Sequence, residues 1–225
     1  QIMLTWSEFY NQFSIQLNEQ QQSAVQSVTG PVLLLAVPGS GKTTVLVTRL
    51  GYMIFCRGIA PAKILTVTYT VAATKDMSER FASRFGQDLA DRLEFRTING
   101  ICARVIQYYG RKTARTAFSL LTDEKRISAI LAAIYQKTER VYPTEGDLKN
   151  VRTLIAYIKN RMLNEKEIEA LDETSEIRIS AIYKEYCKHL RENQLMDYDD
   201  QMVYAYNMLR KIPWLLEYFQ DQYPY

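Results

Sequence analysis

The segment Ala36-Val37-Pro38-Gly39-Ser40-Gly41-Lys42-Thr43-Thr44 groups two glycines, a lysine and two threonine hydroxyls. Those types in that order can hold a phosphate chain. Gly39 and Gly41 can adopt backbone conformations that turn successive N–H groups inward, making a nest for phosphate oxygens. Lys42 supplies a positive point charge to β- and γ-phosphates, and the Thr43 hydroxyl can coordinate Mg²⁺. A helix starting here adds unpaired N–H groups and the positive end of its dipole. The segment matches the phosphate-loop pattern with one departure, Ala36 in place of the first glycine. Pro38, Ser40 and Thr44 complete the candidate nucleotide contacts. The competing reading is a glycine-rich turn that merely precedes a helix, so the flanking elements decide.

Those elements are the ones a phosphate loop needs. The run Val32-Leu33-Leu34-Leu35-Ala36 reads as a strand buried on both faces, and a helical pattern follows through about residue 55. A second buried strand is expected at 64–69, a helix at about 71–85, an extended piece at 93–96 and a helix from 99 to about 109. Upstream, Thr5 and Glu8 have capping-box spacing, with Leu4 and Phe9 placed to form a hydrophobic staple. Asn18 and Gln21 repeat the spacing at a second helix. Strand and helix alternate over residues 1–110, which predicts an α/β fold with a parallel sheet flanked by helices.

The pattern changes at 111. Residues 111–194 lack strand-like alternation and read as an all-helical insertion. Thr122 is expected to cap a helix reaching about 137. Thr144 and Asp147 have capping-box spacing before a helix that buries Leu148, Val151, Ile155, Ile158 and Met162 at steps of three and four. Another helix is expected at about 175–192. Residues 195–225 return to the first domain. There the acidic stretch Met196-Asp197-Tyr198-Asp199-Asp200 precedes a further helix.

Composition narrows the function classes. The 225 residues carry 28 Lys+Arg and 25 Asp+Glu, a net charge of +3, and 47% are hydrophobic. This suits a soluble globular chain of one large or two small domains. His189 is the one histidine, which excludes His-zinc clusters and makes no case for a His-dependent triad. Cys56, Cys102 and Cys187 form no CxxC pair, so neither a zinc site nor a disulfide framework is expected, and free thiols fit a reducing compartment. No signal-peptide pattern and no apolar run near the roughly 20 residues of a membrane span is found. A cytoplasmic location without membrane association is expected. The helical block 111–194 holds 16 Lys+Arg and 13 Asp+Glu, so the whole excess of positive charge lies there. Lys149, Arg152, Lys159 and Arg161 fall on or near the polar side of one predicted helix. They form either an electrostatic footprint for a phosphate backbone or an ordinary solvated face.

Further segments carry a resemblance. Leu17-Asn18-Glu19-Gln20-Gln21-Gln22-Ser23-Ala24-Val25 resembles the Q motif of UvrD/Rep/PcrA-type superfamily 1 DNA helicases, and Ala36 in the loop is common in that family. Ile64-Leu65-Thr66-Val67-Thr68-Tyr69-Thr70 with Ala73-Thr74-Lys75-Asp76-Met77 is similar to motif Ia. Thr97-Ile98-Asn99-Gly100-Ile101-Cys102 is similar to motif Ib. Leu195-Met196-Asp197-Tyr198-Asp199-Asp200 resembles the segment before the Walker B strand. The resemblance covers nearly the whole chain.

It implies a RecA-like phosphate-loop domain 1A (1–110 and 195–225) interrupted by a helical domain 1B (111–194). It implies ATP and Mg²⁺ as cofactors and single-stranded and duplex DNA as partners. Gln21 would read the adenine edge, since an amide donates and accepts at once; helix capping with Asn18 is the alternative, and the two can coexist. Tyr69 would stack on bases without sequence preference; its alternative is a core aromatic at a strand end. Thr68, Thr70, Thr97 and Asn99 would bond the DNA backbone, Asn99 standing where the family usually has His. Val71 and Ala72 stand where Asn and a basic residue are usual. Asp199 and Asp200 would support the catalytic end of the sheet or cap the next helix. The Walker B acid is expected just beyond residue 225, so the chain is expected to be the N-terminal part of a 3′-to-5′ helicase, binding nucleotide weakly and hydrolysing it negligibly alone. A helicase–nuclease subunit of the AddA/RecB kind and a non-motor nucleotide-sensing module remain as alternatives. The oligomeric state stays open.

Overall fold

The computed structural model describes residues 3–27 and 42–225, Lys42 by its backbone only. The expected strand at 32–36, the loop residues Pro38, Gly39, Ser40 and Gly41, and the Lys42 side chain lie outside the described residues. The described chain is mostly helical, with small parallel sheets. It divides into two compact units, residues 1–101 with 212–225 and residues 102–211.

The first unit contains α1 (Trp6–Gln12), α2 (Glu19–Gln26), α3 (Lys42–Phe55), β1 (Leu65–Thr68), α4 (Val71–Phe85), α5 (Gln87–Arg92) and β2 (Glu94–Thr97), followed by the start of α6 (Ile98–Thr113). Both expected capping boxes form. Thr5 and Glu8 exchange bonds at 3.2 Å, and Asn18 and Gln21 at 2.8 and 3.0 Å. Leu4 packs on the cluster that holds Phe9, as a staple requires. The expected helix at 71–85 forms over those residues, because Met77, Phe81 and Phe85 recur at steps of four and are all buried.

Strands β1 and β2 pair in parallel, with Thr68 opposite Thr97 in the register. Parallel neighbours need a crossover, and α4 with α5 supplies it. The core is aromatic. Phe9, Phe13, Phe55 and Phe81 all lie with ring centroids within 5.8 Å of Phe85. Gly51 lets α3 approach this cluster: a Cβ there would come within 2.7 Å of Phe85 Cε2. After the second unit the chain returns as α12 (Pro213–Gln222), and the Leu65 N–H donates to the Tyr225 carbonyl at 3.1 Å.

The second unit continues α6 and adds β3 (Ser119–Leu120), α7 (Glu124–Glu139), α8 (Glu145–Asn160), α9 (Glu165–Ser175), α10 (Ile179–Glu192), β4 (Leu195–Met196) and α11 (Tyr198–Lys211). It is not wholly helical, because the two-residue strands β3 and β4 pair in parallel. Residues 195–211 belong to this unit. Asp123, not Thr122, caps α7, accepting from the Lys125 N–H at 3.0 Å. The helix expected at 175–192 starts at Ile179. A separate α9 precedes it and is closed by Glu176, the residue after its end, whose φ of 62° is left-handed. On α8, Val151, Ile155 and Ile158 are buried, but Met162 lies past the helix end and is 44% exposed. The three cysteines are free thiols.

Candidate functional site

The candidate DNA contacts cluster at the C-terminal ends of β1 and β2. A threonine starts the helix after each strand: Thr70, two residues past the end of β1, and Thr97, the last residue of β2. The Thr70 Oγ1 accepts from the Ala73 N–H at 3.0 Å and caps α4. The Thr97 Oγ1 accepts from the Gly100 N–H at 2.9 Å at the start of α6. A hydroxyl that accepts such a bond still has a proton to donate. Because Thr68 and Thr97 are register partners, the residues that follow them emerge on one edge of the sheet. The carboxyl edge of parallel strands is where ligands bind in open α/β sheets.

Tyr69 lies at this edge and is 61% exposed. It is therefore not a core aromatic at a strand end. A large exposed aromatic ring offers a face on which a base could stack. Asn99, in the first turn of α6, is half-buried. Val71 is also strongly exposed, so the departure from the usual Asn leaves an apolar side chain next to Tyr69 at the surface.

Thr68 behaves differently from the sequence expectation. It is 7% exposed, and its Oγ1 lies 3.1 Å from the Thr70 carbonyl and 2.5 Å from the Thr74 Oγ1. Its hydroxyl is thus engaged by groups of the protein itself.

After the candidate phosphate loop, α3 starts at Lys42, with Thr43 buried and Thr44 exposed in its first turn. The first N–H groups of any helix lack partners within it. Gln21 sits in the first turn of α2, where the capping box engages its Oε1 but not its Nε2. The capping reading is thus realised, and the amide keeps a donor outside the box. The buried Arg49 of α3 donates to the Ala24 carbonyl of α2 at 3.3 Å, which ties the helix bearing Gln21 to the helix bearing Lys42 and Thr43. Burial pulls the Arg49 pKa below its usual value.

The second unit holds a site that was not expected. Lys159 Nζ lies 2.7 Å from Asp197 Oδ2 and 3.0 Å from Asp200 Oδ1. The Tyr186 hydroxyl donates to Asp197 Oδ2 at 3.0 Å, and the ammonium sits 4.9 Å from the Tyr186 ring centroid. Asp197 and Asp200 also exchange backbone bonds at 2.8 and 3.2 Å, capping α11. Asp199 instead accepts from the Asn160 amide at 3.1 Å.

Electrostatics follow from this geometry. Burial disfavours the Lys159 ammonium, but Asp197 and Asp200 outweigh it and hold its pKa above the usual lysine value. Burial likewise opposes the Asp197 carboxylate, and Lys159 holds it below the usual range. Burial dominates at Asp199 and Asp200 and raises both. Of the four cations proposed as a phosphate footprint, Lys159 is buried, Arg152 pairs with Glu124, and Arg161 stacks over the Tyr157 ring at 5.4 Å. Lys149 is exposed. Two sequence signals mark the buried network. Lys159 lies four residues after Ile155, on the buried stripe of α8, and Asp197-x-x-Asp200 has the spacing of Thr144 and Asp147.

The chain is similar to known proteins. The chain is 31% identical over 221 residues to the ATP-dependent DNA helicase PcrA of Bacillus subtilis (strain 168), covering 96% of this chain and 29% of that protein. It is 27% identical over 212 residues to the ATP-dependent DNA helicase PcrA of Staphylococcus aureus, covering 93% and 28%. The figures are the same for the protein of that name from Staphylococcus epidermidis. The chain thus spans under a third of the length of each of these relatives. The family model described as "UvrD/REP helicase N-terminal domain" matches residues 17–225. The chain belongs to the UvrD/REP helicase N-terminal domain family.

Proposed function

We propose that this chain is the nucleotide-binding N-terminal part of an ATP-dependent DNA helicase, which couples ATP hydrolysis to 3′-to-5′ translocation on single-stranded DNA and to duplex unwinding. The observation that carries the reading is Tyr69, a large aromatic side chain held out at the carboxyl edge of two parallel strands. A stacking surface without base-specific hydrogen bonds suits a motor that must pass every sequence. Tyr69, Thr70, Thr97 and Asn99 make the DNA contacts in this reading. Thr68 is left out because its hydroxyl is engaged with Thr70 and Thr74 and the residue is buried.

The start of α3 fits a magnesium nucleotide. Its first N–H groups need partners outside the helix, and a lysine and a threonine open it. Pro38, Gly39, Ser40 and Gly41 would cradle the phosphates. Lys42 would hold the β- and γ-phosphates, Thr43 would hold Mg²⁺, Thr44 would add a hydroxyl, and Gln21 would read the adenine. Bound Mg²⁺ neutralises charge on the phosphate oxygens. We also propose that domains 1A and 1B follow the two compact units, with the return to 1A near 212 and not at 195.

The test is ATP hydrolysis by the longer protein that carries this chain, with and without an oligo-dT strand. DNA-stimulated turnover in the wild type and background turnover in Lys42→Ala are expected. Undiminished turnover in Lys42→Ala overturns the nucleotide assignment. Turnover indifferent to DNA indicates a module without motor activity.

A further inference from the structure

Three hydroxyl and carbonyl groups bracket Tyr69. Thr68 Oγ1 and Thr74 Oγ1 lie 2.5 Å apart, and each lies 3.1 Å from the Thr70 carbonyl oxygen. Two hydroxyls own two protons. The short contact between them takes one, so the other hydroxyl donates to the Thr70 carbonyl whichever way the first proton points. The Thr74 N–H also donates to that carbonyl, at 3.0 Å. The carbonyl therefore has both lone pairs engaged. Thr74 is half-buried in the first turns of α4, and Thr68 is paired with Thr97 in the β1–β2 register. The bracket thus fastens the residues on both sides of Tyr69 to the sheet and to α4.

We infer that Thr74 is a positioning residue for the single-stranded DNA contact of Tyr69, acting by fixing the backbone on either side of that ring. The inference rests on the stacking role proposed for Tyr69. An exposed ring that wanders must be ordered when a base stacks on it, and that entropy is subtracted from affinity. A ring whose backbone is already held loses less. Thr74 need not touch DNA to have this effect.

The test is oligo-dT binding by this chain, read by fluorescence anisotropy, with thermal unfolding measured on the same samples. Thr74→Val keeps the shape and removes the hydroxyl; Thr74→Ser keeps the hydroxyl. Thr74→Val is expected to weaken binding about fivefold, and Thr74→Ser to stay within about twofold of wild type. In a Tyr69→Ala background Thr74→Val is expected to add nothing, because the two residues act as one unit. Unchanged affinity in Thr74→Val, with or without a lower melting temperature, overturns the inference. So does an equal loss from Thr74→Val when Tyr69 is already alanine. A Tyr69→Ala variant that binds as wild type does overturns the stacking role itself, a separate result.

Discussion

Lys159 donates to Asp197 at 2.7 Å with both residues buried, and this bond fastens α8 to the start of α11. A buried ion pair costs desolvation, and breaking one by removing a single partner costs more, because a bare charge is left inside. Lys159→Met is expected to destabilise the second unit by about 3–5 kcal/mol, measured by chemical denaturation. The double variant Lys159→Met/Asp197→Asn is expected to recover part of that loss. The phosphate-footprint reading predicts the reverse, a stable Lys159→Met protein with weaker, less salt-sensitive DNA binding.

The pair also sets a pH dependence. Asp197 is held below its usual pKa by Lys159, so its contribution is present above the unfolded value of about 4 and lost as pH falls through the lower folded value. Asp200 has the opposite sign. Burial raises its pKa, so the folded state takes up that proton more readily, which offsets part of the acid loss. Comparing wild type with Asp197→Asn isolates the first effect. The stability difference is expected to be largest near pH 7 and to shrink below about pH 4. A difference constant from pH 3 to 7 contradicts this account.

Gly51 on α3 faces the ring of Phe85 so closely that a Cβ has no room. Phe85 cannot turn aside, since Phe9, Phe13, Phe55 and Phe81 surround it. Alanine is the better helix former by about 1 kcal/mol, but overpacking costs about 1–3 kcal/mol. Gly51→Ala is expected to lower stability of the first unit, and Phe85→Leu in that background to restore part of it. A stabilised Gly51→Ala protein contradicts the packing.

The sequence was most legible where local chemistry decides. The pairs Thr5–Glu8, Asn18–Gln21 and Thr144–Asp147 cap helices as their spacing predicts. β1, α4 and β2 lie where apolar runs and periodicity put them. What was missed depends on contacts distant in sequence. β3 and β4 are two residues each, too short for any periodicity, and exist because Ser119 and Leu120 pair with the distant Leu195 and Met196. Glu176 ends α9 in a left-handed conformation that its residue type does not announce. Lys159 is a charged residue on an apolar stripe, buried only because Asp197 and Asp200 come back to meet it. Tyr69 had two readings until its exposure separated them.

In the function proposed above, the strand edge carrying Tyr69 engages single-stranded DNA and so governs ATP turnover. The most direct measurement is the oligo-dT concentration that half-maximally stimulates ATP hydrolysis by the longer protein carrying this chain. Base–aromatic stacking contributes about 1–3 kcal/mol per base, so Tyr69→Ala is expected to raise that concentration by about tenfold or more, and Tyr69→Trp to leave it near the wild-type value. The same half-stimulating concentration in Tyr69→Ala as in wild type would contradict the account.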